Sequence, residues 1–292
     1  AMIYKFDLKF PKLQYINGEL VEGKGQPVEV INPATNKVIT TIRSASVEQA
    51  EEALQAANNA FKAWSVTPVG ERANWLLKVK DACMEHKQEL IELTQLECGR
   101  SIQEATGQFN QFISFFDFFA EEIKRVYGTV VPQCDAPEGT VTQFIHKQAL
   151  GVTVAHLAWN DPPFNLGTKL CPNIVSGCCG ILKPSSHTPL FTMRVGELCA
   201  EIGLPAGIIN IVFGSSRDVG KYLNKSTIPS LITVIGSVET GVEVMKQGAT
   251  SVKHYSMELG GNAPLIIMPD GDLETYSKTL DAHGPADGAR SG

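Results

Sequence analysis

No stretch of the 292-residue sequence approaches the roughly 20 apolar residues that a membrane-spanning helix requires. Positive charge is not in excess either: 25 Lys and Arg face 31 Asp and Glu, for a formal net charge of −6 and a pI of about 5.6. The cations are scattered along the chain, so a polyanion groove, and with it a nucleic-acid partner, is not expected. There is no CxxC pair and no histidine cluster, which removes the usual metal sites. The seven cysteines (Cys83, Cys98, Cys134, Cys171, Cys178, Cys179, Cys199) are odd in number and lack framework spacing. Most sit in apolar surroundings, where a free thiol behaves as a small hydrophobe; that fits a reducing, cytoplasmic location. The first ten residues mix Lys5, Asp7 and Lys9 among apolar ones without a small-residue cleavage site, so no secretory leader is read. The G-x-G-x-x-G dinucleotide fingerprint is missing, and there is no internal repeat. With 43% hydrophobic and 19% charged residues the chain has material for a core, which excludes collagen-like, disordered and coiled-coil classes.

The length allows one large domain or two ordinary ones. Residues 14–45 read as short strands and turns: Tyr15-Ile16-Asn17-Gly18, then 28–32 and 38–42, separated by the turn Asn32-Pro33-Ala34-Thr35-Asn36. Ser46, with Gln49 three residues on, predicts a capped helix carrying Ala53, Ala56, Ala57, Ala60 and Phe61 at helical spacing. Further helices are expected at 71–86, 87–96 and 108–126. The last has Phe109, Phe112, Phe115, Phe116 and Phe119 on one face, a core stripe rather than a cofactor box. Residues 128–150 read as a projecting hairpin.

From Gly151 the texture changes. Apolar strands expected at 151–158, 180–182, 208–213, 231–235 and 263–268 alternate with helices near 164–176, 189–202, 216–224 and 238–247. Such alternation predicts βαβ units: an α/β fold with a Rossmann-like open parallel sheet flanked by helices, an N-terminal helical layer and the hairpin. The organisation expected is 1–127 as N-terminal strands and helical layer, 128–150 as an oligomerisation-type hairpin, 151–274 as the Rossmann-like core, and 275–292 as a linker-like tail.

Ligands of open parallel sheets bind beyond the carboxyl ends of the strands, and the chemically interesting residues follow strands directly. Trp159-Asn160-Asp161-Pro162-Pro163 follows the first; an amide there can donate to a developing oxyanion, although a lone Asn is commonly a turn residue. Lys183-Pro184-Ser185-Ser186 follows the second, where a lysine can meet a phosphate or ribose or simply be a solvated charge. Gly214 to Gly220 and Gly236-Ser237 to Gly241 are strand–glycine–helix junctions, whose free N–H groups suit an anion; glycine also merely closes turns. Glu258 precedes Leu259-Gly260-Gly261, where a carboxylate can serve as general base or be an exposed charge.

Together and in order, Asn32-Pro33-Ala34-Thr35, Trp159-Asn160, Lys183-Pro184-Ser185, Gly236-Ser237 and Glu258-Leu259-Gly260-Gly261 resemble the motifs of the NAD(P)-dependent aldehyde dehydrogenase superfamily over about residues 14–274. The resemblance implies that Asn160 donates to the thiohemiacetal oxyanion and Glu258 activates water. It implies a dinucleotide site at Trp159, Lys183, Ser185, Ser186, Gly214, Gly220, Gly236, Ser237, Gly241 and Leu259, with Lys183 and Ser186 on the adenosine ribose and Ser237 on the pyrophosphate. It also implies NAD or NADP as cofactor and a homo-oligomer.

The departures bear on activity. The family's catalytic cysteine is expected some three dozen residues beyond Glu258, yet no cysteine follows Cys199, and from about Tyr276 the resemblance fades. The chain therefore reads as the cofactor-binding part of such an enzyme, truncated before its nucleophile and catalytically incompetent alone, with an aldehyde substrate only in a full-length relative. Asp161 stands where a phenylalanine is usual, Ala158 where proline is, Ser186 where many members have glutamate, and Ser216 where many have glycine. A neutral Ser186 does not repel a 2′-phosphate, so NADP is expected at least as readily as NAD. The rival readings are a non-enzymatic interaction protein that self-associates through exposed family surfaces, and an enzyme using Cys178 or Cys179, which should enter a buried strand where thiols are inert.

Overall fold

The computed structural model describes residues 8–132, 137, 139–262, 264, 266, 268–272 and 274. Local chemistry sets the first elements. Asn17 and Gly18, both at positive φ (53° and 81°), make the tight turn joining β1 (Leu13–Ile16) to β2 (Glu19–Glu22). In the hairpin of β3 (Pro27–Asn32) and β4 (Lys37–Arg43), the Asn32 side chain accepts from the N–H groups of Ala34 (2.9 Å) and Thr35 (3.3 Å), a local turn bond that needs the short amide. The helix α1 (Val47–Trp64) starts on the expected Ser46/Gln49 capping box. After it come α2 (Val69–Glu85), α3 (Lys87–Cys98) and α4 (Ile102–Glu122).

The boundaries of α4 differ from the expected 108–126. Ser101 and Glu104 form a second capping box that starts the helix at Ile102, and a 3₁₀ turn at Ile123–Arg125 ends it. Its stripe is core: Phe109, Phe112 and Phe116 are fully buried, and Phe115 packs edge-on against Phe164 at 5.4 Å. β5 (Thr129–Val131) and β6 (Gln143–Ile145) then pair antiparallel as the hairpin.

The second half alternates as anticipated: β7 (Val152–His156), α5 (Pro162–Ser176), β8 (Cys179–Lys183), α6 (Leu190–Glu201), β9 (Ile209–Ile211), a π turn (Ser216–Gly220) running into α7 (Lys221–Lys225), β10 (Pro229–Gly236), α8 (Val238–Gly248) and β11 (His254–Leu259). One expectation is corrected. The fifth parallel strand is β11, not 263–268; of that stretch Ala263, Leu265 and Ile267 lie outside the described residues, and Pro264, Ile266 and Met268 are in no strand. As a sheet-edge strand β11 exposes His254, Ser256 and Glu258 and half-buries Tyr255 and Met257. Its alternating polarity hid it beside the more apolar run that follows. Cys134, Tyr276 and the tail 275–292 also lie outside the described residues.

The main sheet has the order β11-β10-β7-β8-β9-β1-β2, with β7 to β11 parallel and β1 and β2 antiparallel. It is a mixed α/β fold. α5 and α6 cover one face, with α2, α3 and α4 packed outside them, while α1, α7 and α8 cover the other. A single hydrophobic cluster runs from Tyr15 through α4 to Val244 of α8. No helix among the described residues is long and apolar enough to cross a membrane.

Polar anchors tie the N-terminal layer to the sheet's helices. The Trp64 indole donates to the Ile174 carbonyl (3.1 Å), and Arg72 Nε donates to that of Val175 (2.8 Å). These satisfy the last carbonyls of α5, which its own helix cannot. At the opposite kind of end, the buried Glu97 carboxylate accepts from the N–H groups of Leu190 (2.6 Å) and Phe191 (3.0 Å) at the start of α6. Burial pushes this carboxyl up to about 8 against the pull of those two bonds.

Replacing Glu97 by alanine orphans two buried donors at a helix N-terminus. Glu97→Ala is expected to cost about 2–3 kcal/mol, read from denaturant unfolding. A loss under about 0.5 kcal/mol, the size of an ordinary surface change, would show that α6 does not depend on this cap.

Candidate functional site

The order of the parallel strands locates the site. β7 sits in the middle; the chain leaves it to β8 and β9 on one side, then crosses to β10 and β11 on the other. Between β7 and β10 the winding reverses, the place where open sheets of this kind take their ligands, beyond the carboxyl ends of the strands. Register aligns those ends: Lys183, His156, Val234 and Met257 lie abreast, with Ile235 and Glu258 one step further and Gly236 opposite Leu259. Of the residues expected on sequence grounds, Lys183, Gly236, Glu258 and Leu259 lie at these strand ends, and Trp159 and Asn160 follow β7.

The loop after β7 is held at each step. Asn165, on the first turns of α5, donates to the Ala158 carbonyl (3.1 Å) and to Asn160 Oδ1 (3.2 Å). Thr188 donates to the Trp159 carbonyl (3.3 Å), and the buried Arg100 donates through Nη2 to the Asn160 carbonyl (2.8 Å). Because Asn160 Oδ1 is used as an acceptor, its Nδ2 hydrogens remain for a ligand. Asp161, where a bulky apolar residue was the expectation, caps α5 by accepting from Phe164 N (3.1 Å).

Lys183 ends β8 only 4% exposed. No carboxylate among the described residues lies within ion-pair distance of it, and its ammonium has one hydroxyl partner, Ser216 Oγ, at 3.4 Å. Burial pushes its pKa down to about 8. Beyond it, Ser185 accepts from His187 N (3.2 Å), a turn that leaves Ser186 exposed.

The two glycine junctions differ. A Cβ on Gly214 would come within 2.6 Å of Val219, so the turn closes only without one. The helix expected at 216–224 is a π turn followed by the short α7, and Ser215 rather than a free N–H row occupies its start, accepting from Asp218 N (3.0 Å). Gly220 packs beside the Lys183 and His156 side chains. At the other junction Ser237, next to Gly236, is the N-cap of α8 and accepts from Thr240 N (3.2 Å). A Cβ on Gly241 would strike Leu259 at 2.9 Å, so the bare backbone there lets the end of β11 close against α8.

Glu258 is exposed at the end of β11. Lys169 of α5 is its electrostatic neighbour: burial lowers the Lys169 pKa, and the Glu258 carboxylate pulls it back up. Lys169, Arg100, Asn165, Thr188, His156 and Asn224 escaped sequence reasoning. Asn165 alone had a local signal, one helical turn beyond Asn160; the others act through tertiary contacts that no spacing encodes.

All six described cysteines are free and buried. Burial pushes Cys83 and Cys171 up, and Cys179 and Cys199 up to about 12, so none of these four supplies a thiolate near neutral pH. Two open grooves of about 560 and 540 Å³, lined by residues of β1–β2 and α1, contain none of these residues. We place the site at the sheet edge nonetheless, because polar groups converge there on an uncompensated charge. No group of three potential metal ligands occurs among the described residues.

Comparison with known proteins identifies the family. Residues 20–282 match the model of the aldehyde dehydrogenase family. The chain is 36% identical over 266 residues to the NADP(+)-type succinate-semialdehyde dehydrogenase of Escherichia coli K12, covering 91% of this chain and 55% of that protein. It is 35% identical over 267 residues to lactaldehyde dehydrogenase of the same organism, covering 91% and 55%. Among solved structures, betaine aldehyde dehydrogenase of Staphylococcus aureus in complex with NAD+ superposes with a TM-score of 0.87 at 32% identity, covering 94% of this chain and 56% of that one. An NADP-dependent enzyme of E. coli gives 0.87 at 35%, covering 94% and 56%. The chain thus spans about half the length of the curated relatives it matches.

Lys183 gives a stability test independent of any ligand. Its folded pKa lies below the ordinary 10.5, so the folded state resists the charge. The penalty is complete below pH 8 and is relieved as pH rises from 8 toward 10.5. Lys183→Met is therefore expected to stabilise the fold by about 1–3 kcal/mol at pH 7 and to flatten that alkaline rise. A destabilised variant in chemical denaturation contradicts the uncompensated charge.

Proposed function

The chain belongs to the aldehyde dehydrogenase family, and from that membership we propose that it binds a nicotinamide dinucleotide, NADP at least as well as NAD, beyond the carboxyl ends of β7 and β10. The observation that carries the reading is Lys183, a buried cation with a hydroxyl neighbour and, among the described residues, no counter-ion, placed where an open sheet takes its ligands. A polyanionic, hydroxyl-rich ligand fits that donor set. In this reading Lys183, Ser185 and Ser186 receive the adenosine ribose, and Trp159 walls the pocket. Gly214 and Gly220 let the backbone approach, Gly236, Ser237 and Gly241 present the start of α8 to the pyrophosphate, and Leu259 closes the far side.

Bound there, the dinucleotide supplies the hydride acceptor for oxidation of an aldehyde to a carboxylic acid, the family reaction. Asn160 is the proposed oxyanion donor. Its orientation is fixed beforehand by Asn165 and Arg100, so no reorganisation is needed as charge develops. Glu258 is the proposed general base, holding a proton taken from water, with the Lys169 ammonium as its electrostatic neighbour. The step between them needs a thiolate, and Cys83, Cys171, Cys179 and Cys199, all raised by burial, do not offer one. We propose that the 292 residues alone bind cofactor without turning over, and that they reside in the cytoplasm, whose reducing conditions suit free thiols.

Calorimetric titration with NAD+ and NADP+ tests the reading. Binding of both is expected, with NADP+ at least as tight. Ser186→Glu should accept a ribose hydroxyl and repel a phosphate, moving the preference toward NAD+ by about tenfold, an energy of about 1.4 kcal/mol. The same preparation should form no NAD(P)H with a panel of aldehydes. Absence of binding, or an unchanged ratio in the variant, overturns the assignment.

A second reading rests on a different surface. Tyr127, Val130 and Phe144 at the β5–β6 hairpin are 72%, 62% and 71% exposed. Apolar side chains on a short two-stranded ribbon with open edges invite pairing. We propose that this hairpin drives self-association of the chain. Sedimentation should show an oligomer that Val130→Lys with Phe144→Lys dissociates; a monomer in the unsubstituted chain contradicts this.

A further inference from the structure

His156 is the last residue of β7, on the face covered by α7 and α8, and the register partner of Lys183. A chain of hydrogen bonds fixes its chemistry from outside inward. The Glu243 carboxylate, an acceptor only, takes a hydrogen from Gln247 Nε2 (2.9 Å). Gln247 therefore turns its oxygen inward and accepts from Asn224 Nδ2 (2.9 Å). Asn224 in turn presents Oδ1 to His156 Nε2 at 2.7 Å. An amide oxygen cannot donate, so Nε2 carries the hydrogen, and in the neutral ring the lone pair is on Nδ1. The Cε1 edge, between the two nitrogens, faces Gly220 beside the Lys183 side chain: a Cβ at Gly220 would lie 3.6 Å from His156 Cε1 and 3.4 Å from Lys183 Cε.

The charged groups around the ring are few. Among the described residues Lys183 of β8 is the one that bears on it; burial, and after it the Lys183 charge, lower the His156 pKa to about 4 against the Asn224 bond. In the π turn and α7, Arg217, Asp218, Lys221 and Lys225 are exposed, with Asp218 bonded to Ser215. From α1, Glu48 is exposed and Glu51 accepts from the Tyr222 hydroxyl. From α8, Glu243 is engaged by Gln247, and β10 presents the apolar Val234. An anion arriving at Lys183 therefore meets, in His156, a second nitrogen base that is neutral until the anion comes.

We propose that His156 reads the 2′ position of the bound ribose: neutral, its Nδ1 accepts a hydrogen from a hydroxyl, and protonated, it donates together with Lys183 to a phosphate. This rests on the dinucleotide reading above and adds to it a residue and a direction of pH dependence. A phosphate dianion favours the imidazolium, so the proton is taken from solvent on binding NADP+ and not on binding NAD+. Since the free ring loses its proton only slightly above pH 4, the gain grows as pH falls from 8 toward that value. The Asn224 bond keeps the ring in place in both states, because Nε2 donates in each.

The test is calorimetric titration of the whole chain with NAD+ and NADP+ at pH 8 and pH 6. His156→Gln keeps a donor toward Asn224 but cannot titrate. Lowering the pH should raise the NADP+ over NAD+ affinity ratio of the wild type at least fivefold relative to the same ratio change in His156→Gln. The phosphate's own titration is common to both proteins and cancels. Equal changes in the two proteins overturn the proposal while leaving the dinucleotide site standing. Failure of the wild type to bind either cofactor overturns both. A readout on the unsubstituted chain covers a variant that misfolds. The NMR titration midpoint of the His156 ring should lie at least about 2.5 pH units higher with NADP+ than with NAD+, the shift that a fivefold change between pH 8 and pH 6 requires, and coincident midpoints contradict the role.

Discussion

An ammonium group kept out of water with a single hydroxyl at hydrogen-bonding reach is costly to any fold, and among the described residues Lys183 is such a group. Nothing in its packing requires the charge; a methionine of similar length would fill the same space. The cost is understandable only if something anionic or strongly polar completes the site. Around it the arrangement follows. β7 and β10 end in register beside it, with His156 as its register partner and Gly220 packed against its side chain. In the proposed reading such a site trades stability of the free protein for affinity, the usual exchange at functional positions.

The remainder of the structure serves to hold that edge still. The loop carrying Trp159 and Asn160 has no regular structure of its own, yet three successive carbonyls are taken by Asn165, Thr188 and Arg100, from α5, the β8–α6 loop and the α3–α4 junction. The N-terminal helices are thus more than packing: through Arg100 they reach the proposed oxyanion donor, and through Trp64, Arg72 and Glu97 they fix the ends of the two helices that flank the strands. Catalytic geometry tolerates errors of only a fraction of an ångström, and anchoring from several elements is how a loop achieves it.

Much of this was legible in the sequence because its signals are local. Capping at Ser46, the turn at Asn17-Gly18, the phenylalanine stripe of α4 and the apolar strands β7, β8 and β10 all follow from spacing and residue type. Residues at strand ends were legible for the same reason, since an α/β sheet puts ligand-binding residues directly after strands. What failed was equally physical. β11 is an exposed edge whose polar alternation looks like loop, and the apolar run after it drew the assignment away. The start of α4 was overlooked because Ser101 and Glu104 cap it ahead of the aromatic pattern. The His156–Asn224–Gln247–Glu243 relay joins four residues from three elements, so its members read singly as unremarkable polar residues. Asp161 looked like a departure from the family and proved to be a helix cap.

The central claim, that the carboxyl edge at the β7/β10 reversal is the ligand site, is most directly tested by hydrogen exchange of the whole chain with and without saturating NADP+. Protection should appear in segments 157–161, 183–188, 214–220 and 236–241 and leave the grooves between β1–β2 and α1 unchanged. Protection confined to residues 16–24 and 49–59, or no ligand-dependent change anywhere, would contradict the account.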